Sequence, residues 1–202
     1  MAYYLGIDPG IKGHLALLDG NAKPIETWKM PLDKARKFCP RETLKLLKEI
    51  DNIAANEFEE IFVCIEQLLT LPSDRNQLEV MVSDIEAKSK DGKHDQDAFD
   101  RLNKQLKRKD GILGIKTQSV NWGILIGQFV ALGWRYVTVA PRTWQNAVWQ
   151  SGEKRPTAKL KSYDTAKKLF PHINLETKRG KIKDGLIDSL LIGEYARRTF
   201  KL

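Results

Sequence analysis

The chain has 202 residues, of which 42% are hydrophobic and 30% charged, and its formal net charge is +8. This length suits one domain with a sizeable core, and the positive charge is typical of proteins that bind a polyanion such as nucleic acid. No apolar run reaches the roughly 18 residues of a membrane-spanning helix and no signal peptide is recognisable, so we expect a cytoplasmic protein without a membrane partner.

The start of the chain predicts a meander of three strands. Asp8 ends the first strand, and Pro9 and Gly10 then force a tight turn. A carboxylate at the end of a buried strand is costly unless a cation or a hydrogen-bond donor meets it, so Asp8 is either a turn-capping residue or a functional acid. The three predicted strands are residues 3–8, 14–20 and 24–30.

A further buried strand also ends in an acid. Apolar residues at helical spacing across residues 41–56 predict a crossover helix, and residues 61–66 form an apolar run too short for a helix. The last residue of that run is Glu66. Carboxylates at the ends of two buried strands repel each other if they meet, and a shared divalent cation removes that repulsion.

Residues 71–114 are more polar and charged than the rest of the chain and carry two short apolar stripes. They predict a helical insertion, either an antiparallel pair of helices or one helix with a flexible arm. After the insertion, the pattern predicts a helix over residues 117–132 and a strand over residues 134–139. Two more helices follow, one beginning at Pro141 and one over residues 157–170.

Positive charge is concentrated between Ser151 and Lys183, where ten Lys or Arg residues stand against three acids. Such a run is either a solvated helix face or a phosphate-binding surface. Trp144, Trp149 and Tyr163 lie in or beside this run. These aromatic side chains either stack on nucleotides or belong to the core, and helical spacing favours the core for the tryptophans.

The last predicted helix, over residues 183–196, carries Asp184 and Asp188, which are four residues apart and share one helical face. Asp184 is also placed to stabilise the helix N-terminus through the helix dipole. With Asp8 and Glu66, these residues form a set of oxygen ligands without His or Cys. Such a set suits Mg²⁺, with Mn²⁺ as a substitute.

Four motifs follow one another along the chain: Gly-Ile-Asp-Pro-Gly at 6–10, Ile-Glu at 65–66, Val-Ala-Pro-Arg-Thr-Trp at 139–144, and Asp-Gly-Leu-Ile-Asp-Ser-Leu-Leu-Ile at 184–192. Their order and spacing resemble the RuvC-like Holliday junction resolvases of the ribonuclease H-like superfamily, particularly the phage-type branch. The resemblance covers nearly the whole chain except the insertion.

The resemblance implies an α/β fold with a ribonuclease H-like mixed β-sheet flanked by helices. It implies one domain over residues 1–202, including the insertion at about 71–114. The implied function is that of a homodimeric crossover junction endodeoxyribonuclease, which serves DNA recombination and repair in a bacterium or a phage-infected cell. Such an enzyme makes symmetric paired nicks in four-way DNA junctions. It uses two Mg²⁺ per active site and leaves 5′-phosphate and 3′-hydroxyl ends.

Asp8 and Glu66 match the first two acids of this family, and Asp188 matches the last. Asp184 departs from the family pattern, because many bacterial members carry the third ligand where this chain has Gly185. Our hypothesis is that Asp8 bridges the two ions and that Glu66 and Asp188 complete their sites. Asp184 then supports the second ion.

We expect basic residues near the cut to bind the DNA backbone, namely Lys159, Lys161, Lys183, Lys154 and Arg155. A broader structure-specific DNA endonuclease is the nearest alternative function. Residues 6–10 are also similar to the first phosphate loop of actin-like ATPases, but the sequence shows no second Gly-rich loop, so we expect no nucleotide cofactor. A non-catalytic junction-binding protein is the third alternative, and four intact acids argue against it.

Overall fold

The computed structural model describes residues 2–57, 60–67, 110–149 and 157–200. The chain divides into two compact units, one formed by Met1–Gln67 with Asn121–Leu202 and the other by Leu68–Val120. Most of the helical insertion predicted at about 71–114 lies outside the described residues, as do Lys154 and Arg155. The insertion and the single-domain organisation therefore remain predictions.

The described residues form one five-stranded sheet with the order β3-β2-β1-β4-β5. Strands β1 to β3 are an antiparallel meander, whereas β4 runs parallel to β1 and β5 runs parallel to β4. The carboxyl ends of β1 and β4 therefore lie side by side at one edge of the sheet. The strands are β1 (Ala2–Ile7), β2 (His14–Leu18), β3 (Pro24–Lys29), β4 (Glu60–Glu66) and β5 (Arg135–Val139).

Helices cover both faces of this sheet. Helices α1 and α2 pack on the face to which Leu5 and Ile7 point, and α3, α4 and α5 pack on the face to which Tyr4 and Cys64 point. Both faces of β1 are therefore buried, which is why its sequence is an almost unbroken apolar run. The helices are α1 (Pro40–Asn56), α2 (Asp110–Ala131), α3 (Pro141–Val148), α4 (Ala158–Leu169) and α5 (Asp184–Thr199).

This mixed sheet with helices on both faces is the ribonuclease H-like fold that the resemblance implied, so the predicted fold class is confirmed. The elements predicted outside the insertion are also present in the described ranges. The largest difference is at α2, which begins at Asp110 rather than near residue 117. None of the described helices combines the length and the apolar character that crossing a membrane requires.

Helix α5 lies against strand β1 with backbone touching backbone. A Cβ atom added at Gly6 would come within 2.1 Å of the Ser189 carbonyl oxygen and 2.3 Å of the Gly193 amide nitrogen. At Gly193, a Cβ would meet the Leu18 side chain at 3.0 Å. Glycine at these positions therefore allows the close approach that fixes α5 over the centre of the sheet.

We predict that Gly6→Ala lowers the free energy of unfolding by at least about 3 kcal/mol, the upper end of ordinary overpacking costs. The reason is that the new methyl group would meet backbone atoms, which cannot rotate away as a side chain can. Gly123→Ala on α2 is the matched control, because a Cβ at that position has nothing within 4 Å. It should instead raise stability by about 0.5–1 kcal/mol through helix propensity. Equal urea midpoints for the two variants would contradict the close packing.

Candidate active site

Asp8 follows the last residue of β1 and is held in a tight hairpin. Its Oδ1 atom accepts a hydrogen bond from the Gly10 amide at 3.0 Å, and its own amide donates to the His14 carbonyl oxygen at 3.0 Å. A Cβ at Gly13 would come within 2.0 Å of the Asp8 carbonyl oxygen, so this corner also needs glycine. One carboxylate oxygen of Asp8 thus caps the turn, as the simpler interpretation predicted.

Glu66 is the last residue of β4, and the parallel pairing of Ile7 with Ile65 brings it beside Asp8. Its Oε1 atom accepts a hydrogen bond from Trp144 Nε1 at 3.0 Å, and its carbonyl oxygen accepts one from Trp122 Nε1 at 3.2 Å. Trp144 is fully buried on α3, so it belongs to the core and at the same time orients the Glu66 carboxylate.

Helix α5 begins at Asp184 and brings its first turn against the Asp8 hairpin. A Cβ at Gly185 would lie 2.3 Å from the Lys12 carbonyl oxygen and 3.0 Å from Asp8 Oδ2. An acid at position 185 therefore cannot be accommodated while α5 packs this closely. Close packing of α5 on the hairpin thus requires glycine at position 185, and the acid in this turn of the helix is Asp184.

The four acids act on one another electrostatically. Burial raises the pKa of Asp188 to about 8, with further contributions from the charges of Asp8, Glu66 and Asp184. Burial is also the main cause of the raised pKa of Asp8 and of the raised pKa of Glu66. The Gly10 amide and the Trp144 indole oppose these two shifts. The sequence-predicted acids are therefore neighbours, and Asp188 is the one most penalised for carrying a charge.

Among the four acids, Asp184 forms an ion pair with a basic residue, Lys159. Its Nζ atom lies 2.7 Å from Asp184 Oδ2, and both side chains are 52% exposed. Lys183, also predicted to contact the DNA backbone, donates from Nζ to the Asn174 carbonyl oxygen at 2.7 Å. A cavity of about 230 Å³ between α4 and α5 is lined in part by Lys159, Asp184 and Asp188.

The other predicted DNA-binding residues have different surroundings. Lys161 Nζ lies 5.2 Å from the centre of the Trp149 ring, so this aromatic residue carries a cation on its face. Burial lowers the pKa of His14, and the positive charges of Lys29 and Lys183 lower it further. Lys29 was not among the residues predicted from the sequence. Lys29 pairs with His14 across β2 and β3, a neighbourhood that only strand register reveals.

A second cavity, of about 310 Å³, lies at the opposite end of the sheet, where β4 and β5 begin. Its lining includes Asp51 and Trp134, which are joined by a 2.7 Å hydrogen bond from the indole. It contains none of the four acids, so its size does not make it the site of chemistry.

Within the described ranges, no group of three or more His, Cys, Asp or Glu side chains is arranged to hold a metal ion. The donor set nevertheless fits a hard divalent cation, because carboxylate oxygens are the ligands that Mg²⁺ and Mn²⁺ prefer. The same ion would relieve the repulsion and burial that raise the pKa values of Asp8, Glu66 and Asp188. The donor atoms of these acids are therefore compatible with a hard divalent cation.

The fold and these side chains define a ribonuclease H-like protein with a group of acids at the carboxyl ends of its central strands. No protein-family model and no curated protein matches the sequence. Among solved structures, the chain is similar to T. thermophilus RuvC in complex with Holliday junction substrate. The TM-score is 0.49 and the identity 12%, over 98% of this chain and 96% of that chain. The fold assignment depends on the strand order and directions given above.

We predict that Asp188→Asn stabilises the protein in EDTA at pH 8.5 and has little effect near pH 4. The pKa of Asp188 is about 8 when folded, against about 4 in an unfolded chain, so the folded state holds this proton more tightly. Stability therefore falls as the pH rises from about 4 to about 8, and Asn removes that loss.

The gain at pH 8.5 should be at least about 1.4 kcal/mol, the equivalent of one pKa unit. Urea denaturation across this pH range measures it. Asp33→Asn, in an exposed turn, is the control for removing one acid. A constant stability difference between wild type and Asp188→Asn across the range would show that Asp188 is not penalised as the structure indicates.

Proposed function

We propose that this protein is a metal-dependent DNA endonuclease and, more specifically, a Holliday junction resolvase. The observation that carries the proposal is the group of four acids from three separate chain regions, at the ends of β1 and β4 and at the start of α5. Burial, together with the charges of the other three acids, raises the pKa of Asp188, and such an arrangement costs stability unless it has a use.

Asp8 would serve both divalent ions, Glu66 and Asp188 would complete one or both sites, and Asp184 would support the second ion. When bound, a pair of Mg²⁺ ions supplies an activated water molecule and stabilises the leaving oxygen in phosphodiester hydrolysis. The proposed products carry 5′-phosphate and 3′-hydroxyl ends.

The chain's own residues prepare this site in three ways. The Gly10 amide fixes one oxygen of Asp8, and the Trp144 indole fixes one oxygen of Glu66, so both carboxylates have set orientations. Lys159 forms an ion pair with Asp184 and would bind a phosphate oxygen of the substrate at the same rim. Lys161, supported on the Trp149 ring, extends this positive rim along α4. The net charge of +8 favours a polyanionic substrate generally.

The choice of a four-way junction over other branched DNA depends on the four sequence motifs and not on the shape of the site. The similar structure, T. thermophilus RuvC, was solved with a Holliday junction substrate. Symmetric paired nicks require two active sites, so the proposal includes a homodimer. A role in recombination or repair, and membership of the phage-type branch, belong to the same proposal.

We predict that Asp8→Asn lowers the rate of Mg²⁺-dependent junction cleavage at least about a thousandfold, since metal ligation contributes several kcal/mol to such reactions. The assay is cleavage of a labelled synthetic four-way junction with Mg²⁺ or Mn²⁺. Asp19→Asn is the matched control, because Asp19 also follows a strand and accepts amide hydrogen bonds in a turn. Wild-type cleavage by Asp8→Asn, with thermal unfolding unchanged, would refute the mechanism.

We also predict that four-way junctions are cut faster than Y-shaped or linear DNA, and that the two nicks lie at symmetric positions. The measurement is a comparison of single-turnover rates on these three substrates, with both strands mapped at nucleotide resolution. Equal rates on branched and linear DNA would instead favour the broader structure-specific endonuclease.

A further inference from the structure

Three turns of the described chain, at residues 19–23, 33–37 and 177–181, are built in the same way. In each, the first residue's amide donates to the fifth residue's carbonyl oxygen, at 3.0, 2.7 and 2.8 Å. The fourth residue has a positive φ of 66°, 59° and 67°, respectively. The first residue's side chain also accepts a hydrogen bond from the fifth residue's amide.

The third turn differs from the other two in its charge. Asp19 and Asp33 make the capping bond with a carboxylate, whereas Thr177 makes it with a neutral hydroxyl at 3.1 Å. From the sequence, the net charges of the three turns are 0, +2 and +3, in chain order. The last turn thus keeps the shared geometry without the negative charge that would repel an anion. We call residues 177–181 the basic turn.

The three cations of the basic turn are exposed, and within the described ranges none of them forms an ion pair. The neighbouring carboxylate of Glu176 is occupied by a hydrogen bond from the Tyr163 hydroxyl. Glu176 keeps its negative charge in this hydrogen bond, so residues 176–181 together carry a net charge of +2, with the three cations exposed to solvent. The three residues are Lys178, Arg179 and Lys181.

The base of this turn is fixed to the core. Leu175 is buried, Ile182 packs on the same hydrophobic cluster, and the Lys183 amide donates to the Leu175 carbonyl oxygen at 2.9 Å. The chain then enters α5 at Asp184, so the basic turn and the acids belong to one continuous segment. An anchored turn holds its cations at a set place, which reduces the ordering cost of binding.

Chain connectivity limits the distance between the basic turn and the acids. Lys181 is three residues before Asp184, so their Cα atoms are at most about 11 Å apart, and Arg179 is at most about 18 Å away. One DNA strand rises about 3.4 Å per nucleotide, so these distances correspond to about three to five nucleotides. Lys178, six residues before Asp184, is at most about 22 Å away, so the whole basic turn lies within the length of about six nucleotides from the acids.

We propose that the basic turn binds the phosphate backbone of the DNA strand that flanks the cut, within about six nucleotides of the scissile phosphate. The proposal rests on the proposed nuclease function and extends it to a second contact outside the acidic site. Binding is independent of sequence, because the contacts are to phosphates. The turn positions the strand and takes no part in the chemistry.

The test compares Lys178→Ala/Lys181→Ala with a control, Lys45→Ala/Lys48→Ala. Both variants lose two positive charges, but the control residues are on α1, which packs on the opposite face of the sheet. Thr177 and Gly180 are retained, so the turn geometry is preserved. Binding of a fluorescent four-way junction is measured by anisotropy between 50 and about 200 mM salt, a range over which phosphate contacts change affinity strongly. Both variants carry Asp8→Asn to prevent cleavage.

The turn variant should reduce the slope of log affinity against log salt by about 1.8, since each duplex phosphate contact contributes about 0.9. The control should keep the parent slope, and Lys178→Arg/Lys181→Arg should restore it. In the active protein, the turn variant should raise KM with kcat unchanged. The same slope for the turn variant and the control would overturn the inference while leaving the nuclease proposal standing. Failure of the parent protein to bind any DNA would overturn both.

Discussion

The backbone contact between α5 and β1 is the constraint on which the rest of the structure depends. Gly6 and Gly193 let the helix lie directly on the central strand, and Gly185 lets its first turn reach the Asp8 hairpin. This contact places two acids of one helix beside two acids at strand ends. Because the position of α5 is set by backbone atoms, the acidic group cannot spread apart without loss of core packing.

The acidic group and the surrounding cations have opposing effects on the protein. Burial and mutual repulsion raise the pKa values of Asp8, Glu66 and Asp188, so their negative charges weaken the folded state at neutral pH. Lys159 forms its ion pair with Asp184 at an exposed position, where such a pair contributes little, and its charge opposes the raised pKa of Asp188 without cancelling it. Such local instability, supported by a rigid sheet, is typical of sites in which function has been favoured over stability.

Much of the fold was predictable because burial on both faces of β1 and β4 leaves a simple apolar pattern in the sequence. The acids were predictable for the same reason, since Asp8 and Glu66 interrupt that pattern at strand ends. The hydrogen-bond and ion-pair partners of the acids could not be predicted from the sequence. The hydrogen bond from Trp144 to Glu66 and the ion pair of Lys159 with Asp184 join residues far apart in the chain, and neither spacing nor composition encodes such contacts. Whether Asp184 is a direct ligand is still a prediction.

Gly185 also limits which residues can be substituted at its position. An acid at position 185 would require the hairpin or the helix to shift, because the first side-chain carbon would lie 2.3 Å from the Lys12 carbonyl oxygen. Moving the acid from position 184 to 185 would require the hairpin to be rebuilt at the same time. The loop that faces the first turn of α5 therefore decides which position of that turn can carry an acid.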